Sequence, residues 1–544
     1  MDLPVVVEGN LVDVLRDSVY PARITSVNGV IVGLERIPGP CTGYVLPGLV
    51  DSHVHVESSM LVPSRFAEAA VPRGVVSAVA DPHEIANVMG VKGVEFMIRD
   101  AASVPLKFRF MAPSCVPATE FETSGAELGV KDVEYLMGRS EIYGLAEVMN
   151  YPGVIRRDPD VIAKIEVARR HGKPVDGHAP GLRGEDLDRY MEAGITTDHE
   201  CTTEAEAREK AEKGMCIQVR EGSACRNMEA LAPVAKEHVF FFSTDDMHAS
   251  DCLRHGYMDR LLSKAVSLGI DPLRAVKAAT LWPSQHYRLG GGYLSVNTPA
   301  DMVIVEDLEG FRVREVYIDG KLVAEGGRAL FEAEPLSCET GIVGYDTVPG
   351  ELEIKHGGDS AKVRVIEVHD GQILSSGHLI SLAVEGGVVQ PDIERDVLVM
   401  AVASRYARSR PAIAFVRGFG FDEGAISSTV AHDSHNIVAV GTSYELVSKA
   451  INAVSAEGGH YATDGIREER LPLPVAGLMS TEKAETVSAA EDRLTELVRS
   501  MGGRLRAPFM TLSFQCLLVV PALKLSDRGL FDSSRFGFAD LFAD

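Results

Sequence analysis

The pattern of apolar and polar positions changes character twice along the chain. From Val5 to about Ile37, short β-branched runs such as VVVEGN and ITSVNGVIVGLE are broken by Gly, Asn and Asp, which predicts small antiparallel strands with tight turns. The same texture returns over residues 300–323, in ADMVIVEDLEGFRVREVYIDGKLV, where Asp319-Gly320 marks a hairpin. Between these two pieces, apolar runs alternate with helical stretches. VVSAVA is followed by EIANVMGVKGVEFMIRDAAS, IYGLAEVMN by DVIAKIEVARRHG, and VFFFSTDD by MDRLLSKAVSLG. Repeated strand then helix predicts parallel strands joined by crossover helices, and the span of residues 46–287 suits a TIM-type (β/α)8 barrel.

Past about Glu334 the pattern shifts again. Strands such as KVRVIEV, VLVMAVA and PAIAFVRGF precede the amphipathic segments SYELVSKAINAVSAEG and STEKAETVSAAEDRLTELVRSMGG. This predicts a separate C-terminal α/β or α+β domain over residues 335–544, with a linker within 324–340. The helix over Ser480–Met501 is expected to lay one face on a core, a dimer interface being the alternative use of that face.

Composition narrows the classes. A chain of 544 residues exceeds one ordinary core and implies two or three units. Its 45% hydrophobic and 24% charged residues are those of a folded globular protein. A formal net charge of −24, without a local basic stripe, argues against nucleic-acid and membrane partners. No apolar window approaches a membrane span, and the opening MDLPVVVEGNLVDVLRDS lacks the order of a secretory signal, so the cytoplasm is the expected compartment. The eight cysteines form no Cys-x-x-Cys pair, which predicts reduced, mostly buried thiols rather than a thiolate zinc site or a disulfide framework. Gly290-Gly291-Gly292 lacks the residues of a phosphate cradle and reads as a loop.

The strongest candidate chemistry is in Tyr44–Met60, YVLPGLVDSHVHVESSM, where an apolar strand runs into His53-x-His55. Residues two apart on a strand face the same side, so both imidazoles can aim at one ion. Further polar groups recur at expected strand ends: Asp81-Pro82-His83-Glu84, Glu147, His178, His199 and Asp245-Asp246. In a (β/α) barrel the carboxyl ends of the strands are where catalysis sits. Imidazoles and carboxylates together suit zinc, iron or manganese rather than calcium. Asp245 and Asp246 cannot both face inward from a regular strand, so one of them is the ligand. His83 and Glu84 either begin a helix near Ile85, with Asp81 as capping acid, or bind substrate. The segment His432-Asp433-Ser434-His435-Asn436 is either a turn with solvated side chains or a pocket wall, in which His432 or His435 touches substrate or another metal.

PGLVDSHVHVE, a histidine at each of two later strand ends and a terminal Thr-Asp resemble the amidohydrolase superfamily. Within it, DPHEIANVMG, DGHAPGL, TTDHE, FSTDDMH and AHDSHNIVAVG are similar to the adenine deaminase family, over nearly the whole chain. The resemblance implies a small β-domain built from residues 1–45 and 288–330, on both sides of the barrel. It also implies two divalent ions, Mn2+ or Fe2+ with Zn2+ as a further possibility. His53, His55 and Asp245 would bind one ion and His178 and His199 the other. Glu147 would bridge them where many relatives carry a carboxylated lysine. The implied activity is hydrolytic deamination of adenine to hypoxanthine and ammonia, in purine salvage and in a homodimer. Asp245 is then the first choice as proton shuttle, and Glu84 or Asp246 would protonate a ring nitrogen or hold the purine edge. His83, Glu84, His432 and His435 are the expected substrate contacts. Two alternatives stand beside this reading: a cyclic-amide hydrolase of dihydroorotase-like or allantoinase-like activity, and a non-catalytic barrel that has lost its metals. The second predicts substituted ligands, whereas every expected ligand type is present.

Overall fold

Eight parallel strands occupy the middle of the chain in the computed structural model, which describes residues 3–543. They are β1 (Leu49–Val54), β2 (Val75–Ala80), β3 (Lys107–Ala112), β4 (Ile142–Val148), β5 (Val175–Gly177), β6 (Thr197–Asp198), β7 (Cys216–Arg220) and β8 (Phe240–Ser243). Strands β1 to β5 pair in sequence order, as do β6 to β8. Two sets of backbone bonds join these runs. Thr196 N–H donates to the Val175 carbonyl at 3.1 Å beside β5 and β6. At the other seam Asp245 N–H donates to His53 O at 3.0 Å, and His55 N–H donates to Asp245 O at 3.1 Å. The parallel sheet therefore curls round on itself as a TIM-type barrel.

Every residue of β2 and β8 is buried. A strand covered on both faces has no polar side, and so these segments, VVSAVA and FFFS, read as nearly continuous apolar runs. The ladders shift register between Asp51 and Val54 in β1 and between Leu145 and Val148 in β4. Irregularities of this kind re-aim side chains at strand ends. Here they fall on the residues that carry the candidate chemistry.

A second sheet of eight strands draws on both flanks of the barrel. Tyr44–Pro47 pairs in parallel with Val5–Asp13 and antiparallel with Met302–Val305, which joins the N-terminal strands to the later ones. Its core includes Val7, Leu11, Ile24, Val45 and Met302. Asp319 and Gly320 both have positive φ, 47° and 69°, and close the hairpin between Val313–Ile318 and Lys321–Glu325. Gly48 alone separates this sheet from β1. A Cβ there would lie 2.2 Å from a Val76 methyl, so the crossing needs glycine.

The chain groups into two compact units. One comprises the residues up to Pro82, Glu95–Ser114 and Gly129–Pro335. The other comprises His83–Val94, Cys115–Leu128 and the residues from Leu336 on. Two short segments interrupting the barrel sequence thus group with the C-terminal part, which a single boundary near residue 335 does not anticipate. The second unit holds a nine-stranded sheet, antiparallel except where Ser360–Val368 meets Ala412–Arg417. Its central strands, Leu398–Ala403, Ile437–Gly441 and Ala425–Ser428, are buried throughout. The helix Tyr444–Val454 packs on them, and Ala484–Ser500 lays Val487, Leu494, Leu497 and Val498 inward. All eight cysteines are free thiols, but only Cys115, Cys201, Cys252 and Cys516 are fully buried, fewer than expected. Among the described residues, no helix is long and apolar enough to cross a membrane.

Gly177 ends β5 immediately before His178. A Cβ on it would lie 2.4 Å from the Thr197 backbone oxygen and 2.7 Å from an Ile195 methyl. Because backbone cannot yield as a side chain does, Gly177→Ala is expected to destabilise the protein by about 1–3 kcal/mol. Denaturant unfolding read by circular dichroism checks this.

Candidate metal centre

The barrel brings six of the expected residues to the carboxyl ends of its strands. His53 lies in β1 and His55 just beyond it; Glu147 lies in β4; His178, His199 and Asp245 follow β5, β6 and β8. All six are buried. His53 Nε2 and His55 Nε2 are 3.2 Å apart and lie 3.3 and 3.2 Å from Asp245 Oδ1. Glu147 divides its oxygens between two pairs of imidazoles. Oε1 is 3.2 Å from His55 Nε2 and 3.9 Å from His53 Nε2, whereas Oε2 is 2.7 Å from His178 Nδ1 and 3.2 Å from His199 Nε2. Ligands held about 2.0–2.2 Å from an ion sit roughly 3 Å from one another, so these separations are those of a coordination shell. The donor set is nitrogen and oxygen, and it fits two ions sharing the Glu147 carboxylate. The Nδ1 of His55 lies 3.2 Å from the Asp81 carbonyl, which can only accept; the proton is therefore on Nδ1 and the Nε2 lone pair is turned toward the cluster.

Asp245 has φ of 55°, a left-handed conformation that an L side chain adopts at some cost. The backbone bonds to His53 and His55 hold it there and turn its carboxylate to the two histidines. Asp246 faces elsewhere and accepts a hydrogen bond from Ser58 Oγ at 2.5 Å.

Electrostatics follow from burial opposed by neighbours. Burial alone would raise the Glu147 carboxyl, but His178 and His199 hold it well below the usual carboxylate range. Burial likewise opposes ionisation of Asp245, and Arg220 and His199 outweigh it. His53 is lowered by burial and then by His199 beside it. Burial works against a charge on His55 too, and the carboxylates of Asp245 and Glu147 reverse that effect.

Beneath this layer, polar groups pin the strand ends together. Asp51 accepts from His53 N–H, from Thr244 N–H and Oγ1, and from the Tyr257 hydroxyl; burial pushes its carboxyl up to about 6. Asp176 accepts from Thr197 Oγ1 and the Tyr287 hydroxyl, and burial pushes it up to about 7. Asp198 accepts from Ala179 N–H at 2.8 Å and Glu200 N–H at 3.2 Å, the residues after His178 and His199, and Lys210 Nζ donates to both Asp198 and the Ala179 carbonyl. Spacing along the chain does not mark these groups, nor two more at the site itself. Glu200 Oε1 lies 3.4 Å from His199 Nε2, and Arg220 donates to both Glu200 and Asp245. Arg220 ends β7, so the strand-end rule applied to CIQVR would have found it.

The remaining expected residues gather in the second unit. Glu84, in the first turn of the helix His83–Met89, is buried with His432 Nδ1 2.5 Å from Oε1 and His435 Nε2 in contact with Oε2. His83 Nε2 lies 3.5 Å from Glu84 and 3.7 Å from Asp433 Oδ1. His435 Nδ1 accepts the Ala431 N–H, which places its ring proton on Nε2, toward the carboxylate. Burial opposes the charge on Glu84, but the imidazoles hold its carboxyl well below the usual range. Residues 432–436 are all buried, His432 stacked on Phe514, so the segment is not a turn of solvated side chains.

Comparison with known proteins adds to this geometry. The amidohydrolase family model matches residues 44–323, and the model described as adenine deaminase C-terminal domain matches residues 372–537. A protein named adenine deaminase from Salinibacter ruber is 48% identical over 544 residues, covering 99% of this chain and 99% of its own length. One of the same name from Methanothermobacter thermautotrophicus is 46% identical, over 98% of this chain and 99% of its own. With full-length relatives at this identity and both family models matched, the chain belongs to the adenine deaminase family of amidohydrolases.

Proposed function

We propose that the protein hydrolyses adenine to hypoxanthine and ammonia, with two divalent ions held by His53, His55, Glu147, His178, His199 and Asp245. The observation that carries the metal reading is the Glu147 carboxylate, whose two oxygens face two separate pairs of imidazoles. The relatives' name supplies the substrate. Manganese or iron is the expected metal on the family resemblance, with zinc as the alternative, since a mixed imidazole and carboxylate set accepts all three. Such ions, when bound, bring the pKa of water down so that it can act as a nucleophile at neutral pH and polarise the group under attack.

The chain's own residues supply the rest. Replacing the amine at C6 by oxygen requires a proton to pass from the attacking water to the departing nitrogen, because ammonia leaves far more readily than amide ion. Asp245 is the proposed carrier: it lies in the ligand cluster, whereas Asp246 is committed to Ser58. Glu84 is proposed to meet the purine edge, with His83, His432 and His435 around it. A buried carboxylate fixed by imidazole is a strong acceptor for a ring N–H. A place in purine salvage and assembly as a dimer belong to the same reading.

Three measurements test it. Metal-reconstituted protein offered adenine, adenosine, guanine and dihydroorotate should release ammonia from adenine; turnover of dihydroorotate with none of adenine would overturn the assignment in favour of a cyclic-amide hydrolase. Glu147→Gln should hold fewer than two metal ions per chain by elemental analysis and lose activity in parallel, and full occupancy in that variant would remove Glu147 from the bridge. Asp245→Asn should lower kcat by about 10²–10⁴-fold, the range for loss of a proton carrier.

A further inference from the structure

Arg220 is buried at the end of β7 with its guanidinium shared between two carboxylates. Nη1 donates to Asp245 Oδ2 at 2.6 Å and contacts Glu200 Oε1, while Nη2 donates to Glu200 Oε2 at 3.1 Å. Glu200 is not in the proposed ligand set, yet its Oε1 lies 3.4 Å from His199 Nε2 and 3.8 Å from His178 Nδ1, the spacing of a ligand. With His178 and His199 it forms a group able to hold a metal ion by itself. Among the described residues the buried carboxylates that border the centre include those of Asp81, Glu147, Glu200 and Asp245, and one side-chain guanidinium, that of Arg220, answers two of them, Glu200 and Asp245.

We propose that Arg220 is a positioning residue that withholds Glu200 from the metal ions and leaves Asp245 only Oδ1 for coordination. This rests on the metal reading above. A guanidinium is planar and can take one carboxylate with two nitrogens while reaching a second, which an ammonium cannot do. Glu200 is anchored at its backbone by Asp198, so its side chain has two competing attractors, the guanidinium and the ion held by His178 and His199. By holding Glu200, Arg220 preserves an open coordination position on that ion, which separates a catalytic site from a closed structural one. It also keeps a further negative charge off the metals, whose power to acidify water falls as anionic ligands are added.

The test compares the unsubstituted protein with Arg220→Met, Arg220→Lys, Glu200→Gln and the double variant Arg220→Met/Glu200→Gln, each reconstituted with Co2+. Bound cobalt per chain, the intensity of the visible cobalt absorption, kcat, KM and thermal unfolding are measured. Cobalt absorption weakens as coordination number rises, so Arg220→Met should keep its cobalt but lose absorption as Glu200 joins the ion. Its kcat should fall by about 10–100-fold, with a much smaller change in KM. The double variant, having no carboxylate at position 200, should regain the absorption and much of kcat. Arg220→Lys should show the same spectral change in weaker form, and it decides the matter together with the double variant if Arg220→Met does not fold. Unaltered cobalt spectra in the position-220 variants, or a double variant no better than Arg220→Met, would overturn the proposal. Failure of the unsubstituted protein to take up cobalt would instead overturn the metal reading on which it stands.

Discussion

Charge removed from water is the constraint around which the barrel end is organised. Glu147, Glu200 and Asp245 are buried with four imidazoles, and the nearest permanent side-chain cation among the described residues is Arg220. Each isolated ion in such a place would cost several kcal/mol, and the attraction of partners offsets this only where geometry and hydrogen bonding are good. The arrangement meets that demand by close spacing and shared oxygens. It is also why the site suits divalent ions: a cluster of acceptors and lone pairs about 3 Å apart is neutralised far better by a compact double charge than by further hydrogen bonds.

Holding that cluster together falls to groups one layer down. Asp51 ties the strand bearing His53 to Thr244, the residue before Asp245. Asp198 and Lys210 tie the chain after His178 to the chain after His199. The bonds from Thr244 to Asp51, from Ala179 to Asp198 and from Lys210 to the Ala179 carbonyl connect neighbouring strands, so they set the distances between ligands that come from different parts of the sequence. Ligand orientation of this kind governs metal affinity and activity as much as ligand identity does. The left-handed Asp245 is a local consequence: its backbone strain is held in place by the two bonds that also close the barrel.

Much of the candidate site was legible because strand ends have a local signature. An apolar run followed at once by His, Glu or Asp marks both a buried strand and the end at which it opens, and this located His53, His55, Glu147, His178, His199 and Asp245. Arg220 escaped because CIQVR mixes a polar glutamine into the run, and Glu200 because it stands directly behind a histidine that already accounted for the motif. β6 is only two residues long, too short for any periodicity to register. The solvated-turn reading of His432–Asn436 failed for a different reason: Asp, Ser and Asn favour turns whether or not the turn is exposed, and burial is not a local property.

By itself, then, the sequence determined the parallel-strand architecture, the strand-rich pieces on either side of it and the residue types gathered at the strand ends, since each rests on short-range periodicity or on a residue's own chemistry. Tertiary structure decided the rest. It turned the Asp245 carboxylate toward His53 and His55 and set Asp246 against Ser58, and it divided the Glu147 oxygens between two imidazole pairs. It also set Arg220 against Glu200 and grouped residues 83–94 and 115–128 with the C-terminal unit. Each of these depends on contacts between segments tens to hundreds of residues apart, where no spacing along the chain carries the information.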